Sequence, residues 1–118
     1  PDLSPVNLAE WLPTHVGATW ATHPRYRDLS VEVPVGATPT VRAQAALLGQ
    51  AVDNLVENAM KYSDPGSPIV VKLVAEQGGT SIVVEDRGRG MTDEDVRQAF
   101  EPFYRSSEVR RAGIAGVG

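Results

Sequence analysis

Ile69 to Glu76 and Ser81 to Asp86 are two runs rich in β-branched residues, separated only by Gln77-Gly78-Gly79-Thr80. Runs of that length around so short a glycine-bearing joint predict a β-hairpin. Its apolar side needs a second layer to bury it. The stretch upstream supplies one. From about Gln44 to Tyr62, Leu48, Val52, Leu55, Val56, Ala59 and Met60 gather on one side of a helix, as a core-facing stripe should. At 100° per residue, Asn54, Asn58 and Lys61 fall together on a different, narrow face. Asn is a poor helix former because its side chain competes for backbone hydrogen bonds. Two of them beside a lysine therefore read either as an indifferent solvated face or as a binding face. Gly49 inside this helix costs about 1 kcal/mol relative to Ala, which predicts close approach of another element.

The remaining segments extend the same plan. Residues 1–4 read as a lead-in, and Pro5 to about Ala21 as a helix with Ser4 as N-cap and Pro5 in its first turn. Pro13 would kink or split it. Asp28 to Val33 alternates as a half-buried strand does, and Thr40-Val41 suggests a short one. Thr92 would cap a short helix with Val96, Ala99 and Phe100 on its inner face. Beyond Phe103 the sequence is rich in Arg and Gly, which is loop composition. The order helix, strand, helix, hairpin, helix predicts an α+β fold: a two-layer α/β sandwich with helices on one face of a mixed β-sheet.

Composition narrows the function classes. One domain is expected from 118 residues. There are no cysteines, which excludes disulfides and thiolate metal sites. A net charge of −4 without a basic stripe argues against nucleic acid. No run is long and apolar enough to span a bilayer. The glycine-rich ending at Gly118 gives the chain the look of an excised piece of something longer.

Three further stretches carry chemistry. Glu85-Asp86-Arg87-Gly88-Arg89-Gly90 directly follows a strand, where a carboxylate is held by ordered backbone and the glycines let the chain turn close to a ligand. Such an Asp can accept a hydrogen bond from an exocyclic amine; the same pattern also serves as an ordinary turn. Its glycine spacing is not that of a dinucleotide fingerprint, and no Gly-x-x-x-x-Gly-Lys-Ser/Thr loop occurs. Phe100-Glu101-Pro102-Phe103 sets aromatics around a rigid proline, as a core plug or as the anchor of a mobile lid. Gly113-Ile114-Ala115-Gly116-Val117-Gly118 is either a flexible tail or a loop whose amides cradle phosphates.

Taken together and in this order, these stretches resemble the ATP-binding domain of sensor histidine kinases, of the GHKL type. Residues 44–63, with Asn54-Leu55-x-x-Asn58-Ala59-x-Lys61-Tyr62-Ser63, look like the N box, and 85–91, with Asp86-x-Gly88-x-Gly90, like the G1 box. Residues 100–103 look like the F box, and 104–118 like an ATP lid leading into the G2 box, which is cut off after Gly118. The resemblance covers residues from about 44 to 118, within a single domain of residues 1–118. It implies that Asn58 ligates the Mg²⁺ of Mg-ATP through its amide oxygen, with Asn54 supporting metal and phosphates. Lys61 would neutralise phosphate charge, making Asn58 and Lys61 the catalytic pair, and Tyr62 would lie against the adenine. Asp86 would take the adenine amino group, with Gly88 and Gly90 giving room. Arg105, Gly116 and Gly118 would line the triphosphate.

ATP and Mg²⁺ are thus the expected cofactors. The expected partners are the dimerisation and histidine-phosphotransfer domain of the same kinase and, indirectly, a response regulator, with no nucleic acid and no direct membrane contact. The location implied is the cytoplasmic part of a membrane-anchored kinase. The acceptor-histidine motif is absent: His15 and His23 read as surface or capping residues, so the chain alone should be inactive, with its lid disordered when no nucleotide is bound. Rival assignments are a GHKL ATPase of the gyrase or chaperone kind, an anti-sigma serine kinase, and a non-catalytic interaction module of the same fold. The ATPases use a Glu where Asn54 stands, and an amide takes no proton from water.

Overall fold

The alternation in the hairpin decides which way the sheet faces. In the computed structural model, which describes residues 3–36, 40–76, 79–87 and 109–117, Ile69, Val71 and Leu73 of one strand are buried together with Ile82 and Val84 of the next. These five pack in one cluster with Leu8, Leu12, Val16, Trp20, Leu48, Val52, Val56 and Ala59 from two helices. The elements in chain order are β1 (Ser4–Asn7), α1 (Leu8–Trp20), β2 (Leu29–Glu32), β3 (Thr40–Ala43), α2 (Ala45–Lys61), β4 (Ile69–Glu76), β5 (Gly79–Arg87) and β6 (Val109–Val117). A four-stranded sheet runs β2-β4-β5-β6, and β1 pairs with β3 in a separate two-stranded ribbon. The larger sheet is mixed, because β2 lies parallel to β4 while β4–β5 and β5–β6 are antiparallel. This is the two-layer α+β plan expected from the sequence. On the sheet's open face Lys72 Nζ and Glu85 Oε1 form an ion pair at 2.7 Å.

Three local expectations are corrected. Residues 4–7 are not a lead-in and helix start but strand β1, in which Val6 pairs with Val41 and both are buried. A two-stranded ribbon has only edges, where Pro5 costs no ladder bond that a neighbour needs. The helix therefore begins three residues later than expected, and Asn7, not Ser4, is its N-cap, accepting the Glu10 amide at 3.3 Å. Pro13 does not split it, since α1 runs unbroken from Leu8 to Trp20 with Pro13 on its exposed side.

The third correction concerns the Arg- and Gly-rich end. Residues 109–117 form β6 rather than loop, paired with β5 from Arg87↔Val109 to Thr80↔Val117. The outer edge of β5 presents unpaired backbone groups, and an extended segment satisfies them whatever its composition. Gly113 suits that place: a Cβ there would lie 2.5 Å from the Ile82 carbonyl oxygen. The expected helix after Thr92, the Phe100–Phe103 anchor and the lid from 104 to 108 lie outside the described residues.

Gly49 does mark a close approach. A Cβ at this position would stand 2.7 Å from His15 Cε1, so the missing side chain is what lets α1 seat its histidine against α2.

Candidate functional site

Two chain reversals bring the end of α2 and the end of β5 toward one end of the sheet. After Lys61 the chain turns through Tyr62–Pro68 and enters β4 at Ile69, which pairs with Asp86 near the end of β5. The end of α2 and the end of β5 therefore meet at the same sheet edge. Alternation along β5 points Thr80, Ile82, Val84 and Asp86 toward the helices, and all four are buried. Asp86 is 3% exposed, while Glu85 faces the other way into its pair with Lys72. A carboxylate under the helix layer, not on the open face, is the placement a ligand read between helix and sheet requires.

On α2 the apolar stripe is spent on the core, with Val52, Val56 and Ala59 fully buried. Asn54 and Lys61 stay exposed and Asn58 half-buried. Their face is thus left to solvent rather than to packing. Lys61 Nζ stands 5.2 Å from the centre of the Tyr62 ring, a cation–π distance. Amide oxygens are hard donors of the kind magnesium accepts, and a lysine beside them suits an anionic ligand. Among the described residues no group of three or more His, Cys, Asp or Glu side chains could hold a metal by itself.

Lys61 and Tyr62 at the end of α2 and Asp86 near the end of β5 lie toward the same end of the sheet, with Asn58 about one turn and Asn54 about two turns before Lys61 on α2. Gly116 is not brought there. It lies in β6 near the Thr80 end of β5, about 20 Å from Asp86 along a strand rising about 3.3 Å per residue. Gly88, Gly90, Arg105 and Gly118 are outside the described residues.

Two groups of residues went unread in the sequence. The first is Arg25, which sits before a 3₁₀ turn (Tyr26–Asp28) and reaches the end of α2. Its guanidinium donates to the carbonyls of Met60 (3.1 Å), Ser63 (3.3 Å), Asp64 (2.9 Å) and Ser67 (3.1 Å), and to Ser63 Oγ (3.1 Å). Its Nε pairs with Asp28 Oδ2 at 2.8 Å, and the same oxygen accepts the Gly66 amide at 3.0 Å. The Arg25 hydrogen bond, and after it the Gly66 amide, hold the Asp28 carboxyl below its ordinary value. A positive φ of 93° at Gly66 turns that amide inward.

The second group joins the two helices. His15 Nε2 and Asp53 Oδ1 are 3.0 Å apart, and Trp20 Nε1 donates to the same oxygen at 3.1 Å. The imidazole also stacks on Trp11, with centroids 4.9 Å apart. His15 is therefore not a surface residue but a pin between α1 and α2. His23 does serve as a cap, its Nδ1 accepting the Arg25 amide at 3.0 Å.

Comparison with known proteins supplies the family and the fold. Residues 43–118 match the family described as histidine kinase-, DNA gyrase B-, and HSP90-like ATPase. Sensor histidine kinase CpxA of Escherichia coli (strain K12) is 37% identical over 92 residues, which cover 78% of this chain and 20% of that protein. This chain thus spans a fifth of the length of such curated relatives. The solved structure of the mycobacterial sensor histidine kinase MprB superposes with a TM-score of 0.62 at 30% identity, over 88% of this chain and 68% of that one. The catalytic domain of histidine kinase ThkA superposes at 0.69 over 88% of this chain and 71% of its own; at 19% identity the likeness is one of fold. ThkA has also been solved in complex with the response regulator protein TrrA.

Proposed function

The chain belongs to the histidine kinase-, DNA gyrase B-, and HSP90-like ATPase family, and from that premise we propose that it presents Mg-ATP to a histidine on a separate dimerisation domain of a sensor kinase. Its sequence relatives are sensor histidine kinases and its fold is that of their catalytic domains. The observation that carries the reading is the meeting of the α2 end with a buried Asp86 at one sheet edge. Asn58, supported by Asn54, would hold the cation through amide oxygens, and Lys61 would oppose phosphate charge. When bound, the cation neutralises charge on the phosphates. Tyr62 would lie against the base, and Asp86 would accept from its amino group. Gly88 and Gly90 would give the base room, with Arg105 toward the triphosphate.

Phosphoryl transfer is mostly positioning and electrostatic stabilisation, so it needs an acceptor held in line. Neither His15 nor His23 is available for that: one pins the helices and the other caps a turn. The acceptor then belongs to another domain of the kinase, and a response regulator is the next partner; ThkA has been solved in complex with one. Among the described residues no helix is long and apolar enough to cross a membrane; ATP as substrate puts the domain on the cytoplasmic side. Incubating the chain with γ-labelled ATP and the upstream helical domain is the test. Acid-labile label on the partner alone is expected. Label on a serine, or rapid phosphate release by this chain alone, would overturn the reading, since Asn54 offers water no base.

Base selection should follow from Asp86. Its carboxylate accepts from adenine's amino group but would meet guanine's carbonyl oxygen as a second acceptor, and buried acceptors left unpaired are penalised strongly. ATP is expected to win competition binding against GTP by tenfold or more. Equal affinities would show that Asp86 does not read the base.

A further inference from the structure

We infer that Arg25 is a positioning residue for the nucleotide site, an inference that rests on the reading of that site given above. Lys61 and Tyr62 occupy the two positions between Met60 and Ser63, whose carbonyls both accept from Arg25 Nη1. The other guanidinium nitrogen, Nη2, holds the carbonyls of Asp64 and Ser67 further along the same turn. One planar group thus fixes the helix exit and the returning loop in a single frame.

The ends of helices leave their last carbonyls without partners within the helix. Here Asn58 O takes the Tyr62 amide at 3.0 Å, Ala59 O takes Ser63 Oγ at 2.6 Å, and Met60 O takes Arg25. Two of these three closures pass through Arg25 or through a hydroxyl it holds. Asp28 completes the frame by fixing the guanidinium through Nε and the loop through the Gly66 amide. Arg25 lies more than thirty residues before α2's end and touches neither face predicted to meet the ligand. Its bonds act on the backbone that aims Lys61 and Tyr62.

Without that frame, the exit of α2 samples conformations in which the two side chains point elsewhere. Affinity then falls by the fraction of molecules still competent. A lysine does not substitute, since it carries three donors on a flexible stem against five in a rigid fork.

Arg25→Lys is expected to weaken Mg-ATP binding about tenfold, in the range found when groups that orient ligating residues are removed. The binding is measured by calorimetry at a temperature where the far-ultraviolet circular dichroism matches the unsubstituted chain. Hydrogen exchange of the amides from Lys61 to Ser67 should quicken in the same variant. In Arg25→Ala, millimolar guanidinium should restore affinity saturably, whereas it should do nothing for Asn58→Ala. A purely stabilising role would leave affinity unchanged once the protein is folded, and rescue would be absent. If Arg25→Lys binds Mg-ATP as tightly as the unsubstituted chain while Asn58→Ala does not, the positioning role is overturned and the site reading stands. If the unsubstituted chain and Asn58→Ala titrate alike, the site reading falls and this inference with it.

Discussion

Asn58→Ala is expected to weaken Mg-ATP binding tenfold or more, a loss of about 1.4–3 kcal/mol. The substitution is a clean probe. Asn58's backbone carbonyl, not its side chain, accepts the capping amide of Tyr62, so that closure survives. Alanine is also the best helix former, and replacing Asn favours α2 slightly. The side chain is half-buried on a face the core does not use, so its removal leaves no large cavity. A lower affinity therefore reports lost coordination rather than lost structure. Titration in the presence and absence of Mg²⁺ is the measurement. Unchanged affinity for Mg-ATP would remove Asn58 as a metal ligand.

The largest effect on stability is expected at Gly49. Gly49→Val should destabilise the domain by about 2–3 kcal/mol, at the upper end of what overpacking costs. Intrinsic helix propensity argues the other way by a few tenths, since Val is the better helix former. Contact decides the sign. The ideal Cβ lies 2.7 Å from His15 Cε1 and 3.2 and 3.3 Å from the two ring nitrogens. That ring is stacked on Trp11 on one side and bonded to Asp53, so it yields only by giving up both contacts. Urea denaturation measures the loss, and a double-mutant cycle with His15→Ala locates it. In the His15→Ala background the penalty should fall below about 1 kcal/mol; an equal penalty there would show that the strain lies elsewhere.

Periodicity made α2 and the hairpin legible because their burial is local in pattern. Val52, Val56 and Ala59 sit at helical spacing, and Ile69, Val71 and Leu73 at alternate positions. The missed elements depend on partners distant in sequence. Strand β1 exists because Val6 meets Val41, and nothing near Pro5 announces it. Strand β6 is held by backbone pairing along β5, which leaves no mark on composition. Of the candidate site, the α2 face and Asp86 could be found by motif. Arg25 could not, because the groups it recognises are mainly carbonyl oxygens, which every residue carries. Gly49 gave a signal for close approach, but not that a histidine would fill the space.

The parallel pairing of β2 with β4 has a consequence for the order in which the domain assembles. Leu29 meets Ile69, a closure of about forty residues, whereas β4 and β5 pair down to Glu76 and Gly79, three positions apart. Loop-closure entropy favours the short pairing first and makes the long one the slow commitment. The segment from Tyr62 to Pro68 is the last stretch of that long excursion before β4 begins. A nascent chain therefore acquires its helix and hairpin before β2 docks. Partly folded molecules, with β2 undocked, would lack the Arg25–Asp28 frame that immediately precedes it and holds the α2 exit. Binding would then draw only on finished domains, and ligand would stabilise them by mass action.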